Sequence, residues 1–138
     1  MQEDTEGHAY TCVTPILTEN GAELLALGST SGKLIFVNKQ YESDTVLTDS
    51  NPISNMAFDE VSKTIALGNT NGSLSFVKVD SASSATQSTQ VSSDLEIPVT
   101  SMGTLNRGET ILVVGYANGV VKLFNFSGEQ LCEIGSHS

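Results

Sequence analysis

Few side chains in this sequence are of the types that perform covalent chemistry. Enzymes hold a nucleophile, a base and an orienting group in one site, and the only imidazoles belong to His8 and His137, each close to a terminus. Neither a Gly-x-Ser-x-Gly nucleophile motif nor a Walker phosphate-binding loop occurs in the sequence. We therefore predict that the chain is not an enzyme and has no catalytic residues.

Two short polar stretches are the nearest approach to a cation site, and both lack the necessary donors. Asp59 and Glu60 form a carboxylate pair, but adjacent turn residues point apart, which favours a solvated turn. The stretch from Asn69 to Gly72 resembles part of a calcium loop without carboxylates at the ligand spacing. The sequence therefore predicts neither a metal site nor a bound cofactor.

A Gly-x-x-x-Gly unit occurs three times, as Gly28/Gly32, Gly68/Gly72 and Gly115/Gly119. A glycine-rich loop binds phosphate when a lysine and a helix start follow it, and neither follows these units. Repetition of the unit favours a structural role in turns. The second glycine of each unit, in Ser31-Gly32, Asn71-Gly72 and Asn118-Gly119, is expected to have a positive φ.

The apolar runs around these glycines predict strands. The three copies cover Leu25–Val37, Ile65–Val77 and Leu112–Phe124, spaced 40 and then 47 residues apart. Apolar residues alternate after each second glycine, and period-2 alternation indicates a strand. Strand repeats of this length are typical of β-propeller blades.

Each copy extends to four antiparallel strands, so we predict an all-β fold of three blades at about residues 8–47, 52–97 and 98–135. The fourth strands are predicted at Asp44–Leu47, Asp94–Ile97 and Gln130–Ile134. The intervening tract Ser81–Ser93 is rich in Ser, Thr and Gln, and we predict a mobile loop there because it has little apolar surface to bury.

The net charge of −10 makes several partner classes improbable. Nucleic acids and anionic membranes are bound mainly by Lys and Arg, so neither nucleic acid binding nor membrane insertion is expected, and a basic protein partner would suit the charge. The start MQEDTEGHAY lacks the features of a signal peptide. We therefore expect a cytoplasmic, or at least intracellular, protein with two free thiols, Cys12 and Cys132.

These repeats resemble the WD40 family over most of the chain. Gly7-His8 matches the Gly-His that opens a repeat, Gly135-Ser136-His137 matches it imperfectly, and the Ser/Asn-Gly turns match its Asp-Gly turn. The sequence departs from the pattern in having no Trp, and Val37-Asn38 is one of the pairs that replace Trp-Asp. The resemblance implies a propeller scaffold for protein complexes.

In that family the turns between the second and third strands commonly face partners. Tyr116 is the strongest single candidate, since aromatic residues are enriched in binding hot spots. The alternative for Tyr116 is packing across the strand pair. The resemblance thus implies a candidate partner-binding face made of Ser29, Thr30, Asn69, Thr70, Tyr116 and Ala117.

Three blades are fewer than the four to eight of a closed propeller, so we expect an incomplete ring whose partners are other proteins or its missing blades. The leading hypothesis is a non-catalytic interaction scaffold. One alternative is a structural blade set that completes a larger intracellular assembly by pairing strand edges. Another is part of a propeller enzyme whose catalytic groups come from other blades.

Overall fold

The computed structural model describes residues 9–48, 51–92 and 96–135, and all regular structure within these ranges is β-strand. Twelve strands form three four-stranded antiparallel sheets. The first sheet contains β1 (Tyr10–Leu17), β2 (Glu23–Ser29), β3 (Lys33–Val37) and β4 (Ser43–Thr48). The second contains β5 (Ile53–Asp59), β6 (Thr64–Asn69), β7 (Leu74–Ser81) and β8 (Ser84–Val91). The third contains β9 (Val99–Asn106), β10 (Thr110–Tyr116), β11 (Val121–Asn125) and β12 (Gln130–Ile134).

Each sheet is a meander in which every strand pairs with its neighbour in sequence. The first strands form most of the contacts between sheets, β1 against β5 and β5 against β9, and β2 packs against β5, β4 against β8 and β6 against β9. We call the sheets blades 1, 2 and 3. They stand side by side as an open arc of propeller blades, which confirms the predicted all-β fold and incomplete ring.

The turn between the second and third strands is the same in all three blades. Gly32, Gly72 and Gly119 have φ values of 83°, 88° and 89°, as predicted. Each glycine N–H donates to the carbonyl three residues earlier, at 3.1, 3.0 and 2.9 Å respectively. A left-handed residue at this point gives the tight hairpin its twist, and glycine adopts it without steric cost.

Apolar residues lie on both faces of the middle strands, so the core is formed between blades. We call the face of a blade that looks toward the next blade its front face, and the opposite face its rear face. Six strand residues in a row from Thr64 to Asn69 are buried, because blade 2 is covered on both sides. The core between blades 1 and 2 is formed chiefly by the front face of blade 1 and the rear face of blade 2. Blade 1 contributes Ile16, Leu24, Ala26, Leu34 and Phe36, and blade 2 contributes Ile65, Leu67, Val77 and Val79.

The second junction is built around aromatic rings. Phe76 on the front face of blade 2 lies with its ring centroid 6.5 Å from that of Phe124 and 6.0 Å from that of Phe126, the latter pair edge to face. Leu112 and Val114 complete the rear face of blade 3 and are fully buried. Full burial of each such side chain contributes about 1.5–3 kcal/mol.

The fourth strand of blade 2 lies in a different place from the one predicted. The tract Ser81–Ser93, expected to be a mobile loop, contains β8 and a two-residue turn that returns the chain along β7. The segment Asp94–Ile97 is not the fourth strand, since its described residues Glu96 and Ile97 lie outside any strand. The predicted fourth strands at Asp44–Leu47 and Gln130–Ile134 are confirmed as β4 and β12.

A polar outer strand forms here because its backbone pairs with a well-buried neighbour. Ser88 Oγ donates to the Phe76 carbonyl at 3.0 Å, and Thr86 Oγ1 donates to Asp80 Oδ2 at 2.7 Å. Ala85 also packs against the core between blades 1 and 2. Ladder hydrogen bonds and the β propensity of Thr therefore order a segment that buries little apolar surface.

We predict that Gly119→Val lowers the free energy of unfolding by more than about 1 kcal/mol, because valine resists a positive φ. Gly119→Asn is the matched control and should lose less, since Asn tolerates the left-handed region. Urea unfolding of the three proteins measures both effects. Equal stability of the valine variant and the wild type would contradict a strained turn.

Candidate partner-binding face

The turns between second and third strands lie at one end of the arc, and each is fixed to its own blade in the same way. The amides of Thr30, Thr70 and Ala117 donate to the carbonyls of Ala9, Pro52 and Pro98, at 2.8, 3.2 and 3.0 Å. Those carbonyls directly precede the first strands. Thr30, Thr70 and Ala117 are themselves exposed, so each blade presents an accessible residue at the same position on this face.

Ser29 and Asn69 do not belong to the accessible surface, which corrects their assignment to it. Both side chains are fully buried. Ser29 Oγ accepts the Lys33 amide at 3.0 Å, whereas Asn69 Nδ2 donates to the carbonyls of Asn51 and Pro52 at 3.2 and 3.1 Å. These side chains stabilise the turns by hydrogen bonds from the buried side. Tyr116 has the equivalent position in blade 3.

Tyr116 is half-buried, and its ring packs beneath Lys122, whose Nζ lies 5.3 Å from the ring centroid. Burial, reinforced by the negative charge of Glu133, raises the pKa of Tyr116 to about 12. The phenol is therefore neutral at physiological pH, and part of the ring is available to a partner. Both roles predicted for Tyr116, packing and surface contact, are compatible with this position.

The first glycine of each pair has a different function from the second, because it allows close approach between blades. A Cβ at Gly28 would lie 2.7 Å from Ile53 Cγ2, and a Cβ at Gly68 would lie 2.7 Å from Val99 Cγ1. Ile53 and Val99 open the next blade in each case. At Gly115 the nearest atoms to the same Cβ all belong to Ser101 of its own blade, and the closest is the Ser101 hydroxyl.

A hydroxyl beside Gly28 and another beside Gly68 connect neighbouring blades. Thr11 Oγ1 lies 3.2 Å from the Gly28 carbonyl of its own blade and is also within hydrogen-bond reach of the Ile53 carbonyl. Ser54 Oγ repeats the arrangement, 3.2 Å from the Gly68 carbonyl and 3.0 Å from the Val99 carbonyl. One hydroxyl proton is thus shared between two blades at each junction.

Sequence reasoning missed these hydroxyls, although a signal was present. Blades 2 and 3 begin with Pro52-Ile53-Ser54 and Pro98-Val99-Thr100. The repeated order of proline, β-branched aliphatic residue and hydroxyl residue marks the start of a blade and the residues of its junctions.

Asp59 makes a structural contact that the sequence did not reveal, because its side chain is buried although the turn that follows it is exposed. Its carboxylate accepts the Ser62 hydroxyl at 2.6 Å and the amides of Val61 and Ser62 at 3.3 Å. Burial by itself raises the pKa of Asp59, but the hydrogen bonds from Ser62, Thr110 and these amides outweigh burial and lower the pKa. Thr110 of blade 3 lines the same recess as Asp59, so the carboxylate faces the neighbouring blade.

An open groove of about 770 Å³ lies along the outer part of blade 1 and is bordered by Phe58 of blade 2; its lining also includes Pro15, Leu25, Val37 and Tyr41. No group of three or more His, Cys, Asp or Glu residues within residues 9–48, 51–92 and 96–135 is arranged to hold a metal ion. His8 and His137 lie outside the described residues. In those same three ranges there is no helix of the length and apolarity needed to cross a membrane.

The arc is similar to β-propeller domains of known structure. It superposes with a TM-score of 0.67 on BBS1N, crystallised in complex with ARL6DN and soaked with lead, at 17% identity over 97% of this chain and 41% of that one. The β-propeller domain of Cps50 (Swd1) from Myceliophteria thermophila gives a TM-score of 0.69 at 14% identity, over 92% of this chain and 41% of that one.

BamB from Moraxella catarrhalis gives a TM-score of 0.51 at 17% identity, over 89% of this chain and 34% of that one. The chain therefore spans about two fifths of the length of the BBS1N and Cps50 chains to which it is similar. No family profile and no curated protein matches the sequence. The likeness establishes the propeller fold alone.

We predict that Gly68→Ala and Gly115→Ala differ in effect although the substitution is the same. Alanine at position 68 collides with Val99 and should lower the free energy of unfolding by about 1–3 kcal/mol. Alanine at position 115 displaces only the exposed Ser101 hydroxyl. This substitution should change the free energy of unfolding by no more than about 0.5 kcal/mol. Parallel urea titrations measure both, and equal losses would show that position 68 is not a tight junction.

We predict that Asp59 stabilises the fold in a pH-dependent way. Because its pKa is lowered in the folded state, its contribution is present above the ordinary aspartate pKa and is lost as the pH falls through the folded value. Asp59→Asn should lower the free energy of unfolding by about 1 kcal/mol or more near neutral pH. The difference in stability between the variant and the wild type should shrink as the pH falls. Glu60→Gln, at the exposed neighbour, is the control. A deficit that stays constant down to the acid range would contradict the role of the carboxylate.

Proposed function

We propose that this chain is part of a WD40-like β-propeller that binds other proteins and carries out no chemistry of its own. The observation that carries the proposal is the row of accessible turn residues Thr30, Thr70 and Ala117, held at one end of three successive blades by the same hydrogen bond. A rigid row of this kind suits recognition, because the strands beneath it fix its geometry before a partner arrives.

The similar propellers support the same proposal by analogy of fold. BBS1N forms a complex with ARL6DN, so one propeller of this shape engages a protein partner. The glycine turns, now seen in three equivalent hairpins, support the assignment to WD40-like repeats. Fold alone does not fix function, and the argument for binding therefore rests on the turn row.

The charge of the chain defines the partner further. With a net charge of −10, the protein attracts a segment rich in Lys or Arg and speeds its encounter at low ionic strength. We also propose an intracellular location, supported by the two free cysteines, Cys12 and Cys132, since such thiols persist where the environment is reducing.

A displayed library of linear peptides, selected on the immobilised chain at low and at high salt, tests this function. We expect enriched peptides to be basic and their binding to fall at least tenfold with Thr30→Arg or Thr70→Arg. Val61→Arg adds the same charge at an exposed turn away from the row and should leave binding within about twofold. Equal losses in all three variants, or enrichment without basic residues, would contradict a binding site at the turn row.

A further inference from the structure

Three asparagines of this chain directly precede a glycine, and all three lie in tight turns between strands. They are Asn20-Gly21 between β1 and β2, Asn71-Gly72 between β6 and β7, and Asn118-Gly119 between β10 and β11. In each turn the glycine amide donates to the carbonyl three residues earlier, at 3.0, 3.0 and 2.9 Å respectively. The glycine φ values are 86°, 88° and 89°, so the backbone setting is the same in all three turns.

An Asn-Gly pair can react without an enzyme, because glycine has no side chain to shield its nitrogen and adopts the backbone conformations that ring closure needs. The glycine nitrogen loses its proton and attacks the asparagine Cγ, forming a C–N bond while the side-chain amide leaves as ammonia. Water then opens the five-membered succinimide at either carbonyl and gives aspartate or isoaspartate. The net change is hydrolysis of one amide by one water, with no oxidation or reduction.

The side chain of Asn71 is firmly held. It is half-buried, and its Oδ1 accepts the Ser73 hydroxyl at 2.7 Å and the Ser73 amide at 3.1 Å. Ser73 is itself buried, and its Oγ lies 3.2 Å from Asn69 Oδ1. The Asn71 side chain must give up both hydrogen bonds to Ser73 before its Cγ can turn toward the Gly72 nitrogen, so ring closure is disfavoured there.

Asn20 also has two hydrogen bonds, although it is exposed. Its Oδ1 accepts the Thr18 hydroxyl and, at 3.4 Å, the Ala22 amide. The Thr18 side chain is buried, so the hydroxyl that holds Asn20 has a fixed position. Release of this asparagine therefore also requires the loss of a hydroxyl contact.

Asn118 is the least restrained of the three. It is exposed, and the Val120 amide, 3.1 Å from its Oδ1, is the single hydrogen-bond partner of its side chain within the described residues. Val120 stands where the Asn71 turn has Ser73, so the hydroxyl is missing. The side chain is open to water and to the base that removes the glycine proton.

We propose that Asn118 is the site at which this chain deamidates by itself. The Gly119 nitrogen attacks Asn118 Cγ, and the product carboxylate lies beside Ala117, at the blade 3 end of the turn row. An aspartate oxygen can still accept the Val120 amide, so this product keeps the hairpin. Isoaspartate instead adds a methylene to the main chain and lengthens the turn.

If the turn row binds a basic segment, deamidation has a consequence for that binding. The aspartate product adds one negative charge to the candidate partner-binding face, which strengthens attraction to Lys and Arg at low ionic strength. This consequence rests on the proposed function, whereas the assignment of the reactive site does not.

Peptide mapping by mass spectrometry, after incubation of the 138-residue chain at mildly alkaline pH, locates the conversion. The same chain unfolded in urea is the reference, because all three asparagines are free of tertiary contacts there. The ratio of folded to unfolded rate isolates the effect of structure at each asparagine. We expect this ratio to be at least about threefold larger for Asn118 than for Asn71 or Asn20, since each extra hydrogen bond must be broken.

Two variants test the cause. Ser73→Ala removes the hydroxyl that holds Asn71 and should raise the Asn71 ratio toward that of Asn118 without changing the latter. Asn118→Gln should remove the main product, because the longer side chain closes a ring far more slowly. A ratio for Asn71 or Asn20 equal to that of Asn118 would overturn the site, as would an Asn118 that stays intact while the unfolded chain converts. The wild-type ratios decide the question if Ser73→Ala does not fold.

The effect on binding has its own matched pair. Asn118→Asp supplies the aspartate product directly, and Asn20→Asp adds the same charge in the β1–β2 turn, outside the turn row. Basic peptides should bind Asn118→Asp about twofold or more tightly than the wild type at low salt and equally at high salt, since salt screens exposed charges. Asn20→Asp should leave their affinity unchanged, and equal affinities of the two variants would contradict the effect on the face. The mapping needs no partner, so a failure of peptide binding and a failure of the deamidation site are observed separately.

Discussion

The arc depends on close approach between blades at the first glycine of each turn unit. Gly28 and Gly68 leave room for a β-branched side chain from the following blade, and the hydroxyls of Thr11 and Ser54 bind across the same point. Apolar packing has no preferred direction, whereas a tight steric contact combined with a shared hydrogen bond fixes the distance between sheets. The packing of each core between blades follows from this distance.

Blade 2 shows the consequence of having a neighbour on both sides. Its second strand is buried along its whole length, whereas the same strand in blade 1 alternates between buried and exposed residues. Stability in stacked repeats is the sum of the repeats and their interfaces. The middle blade, with two interfaces, is therefore the most stable part of the arc, and the outer blades depend on it.

Much of the fold could be predicted because its signals are local. The turn glycines and the alternation after them specified hairpins and four-stranded blades. Residues 84–91 were missed because a polar outer strand is ordered by pairing with β7, which composition does not reveal. Ser29 and Asn69 were wrongly predicted to be accessible for a related reason, since composition does not reveal their hydrogen bonds. The Ser29 side chain accepts a hydrogen bond across its own turn, and the Asn69 side chain donates to carbonyls at the start of blade 2.

The meander order of the sheets also governs how the chain can fold while it is being synthesised. Among the described strands, each pairs only with the strand before or after it in sequence, so a sheet is complete as soon as its fourth strand has left the ribosome. Local pairing of this kind has a small cost in loop closure and favours rapid folding. The first blade can therefore offer its finished front face as a template on which the second blade condenses, and so on along the nascent polypeptide.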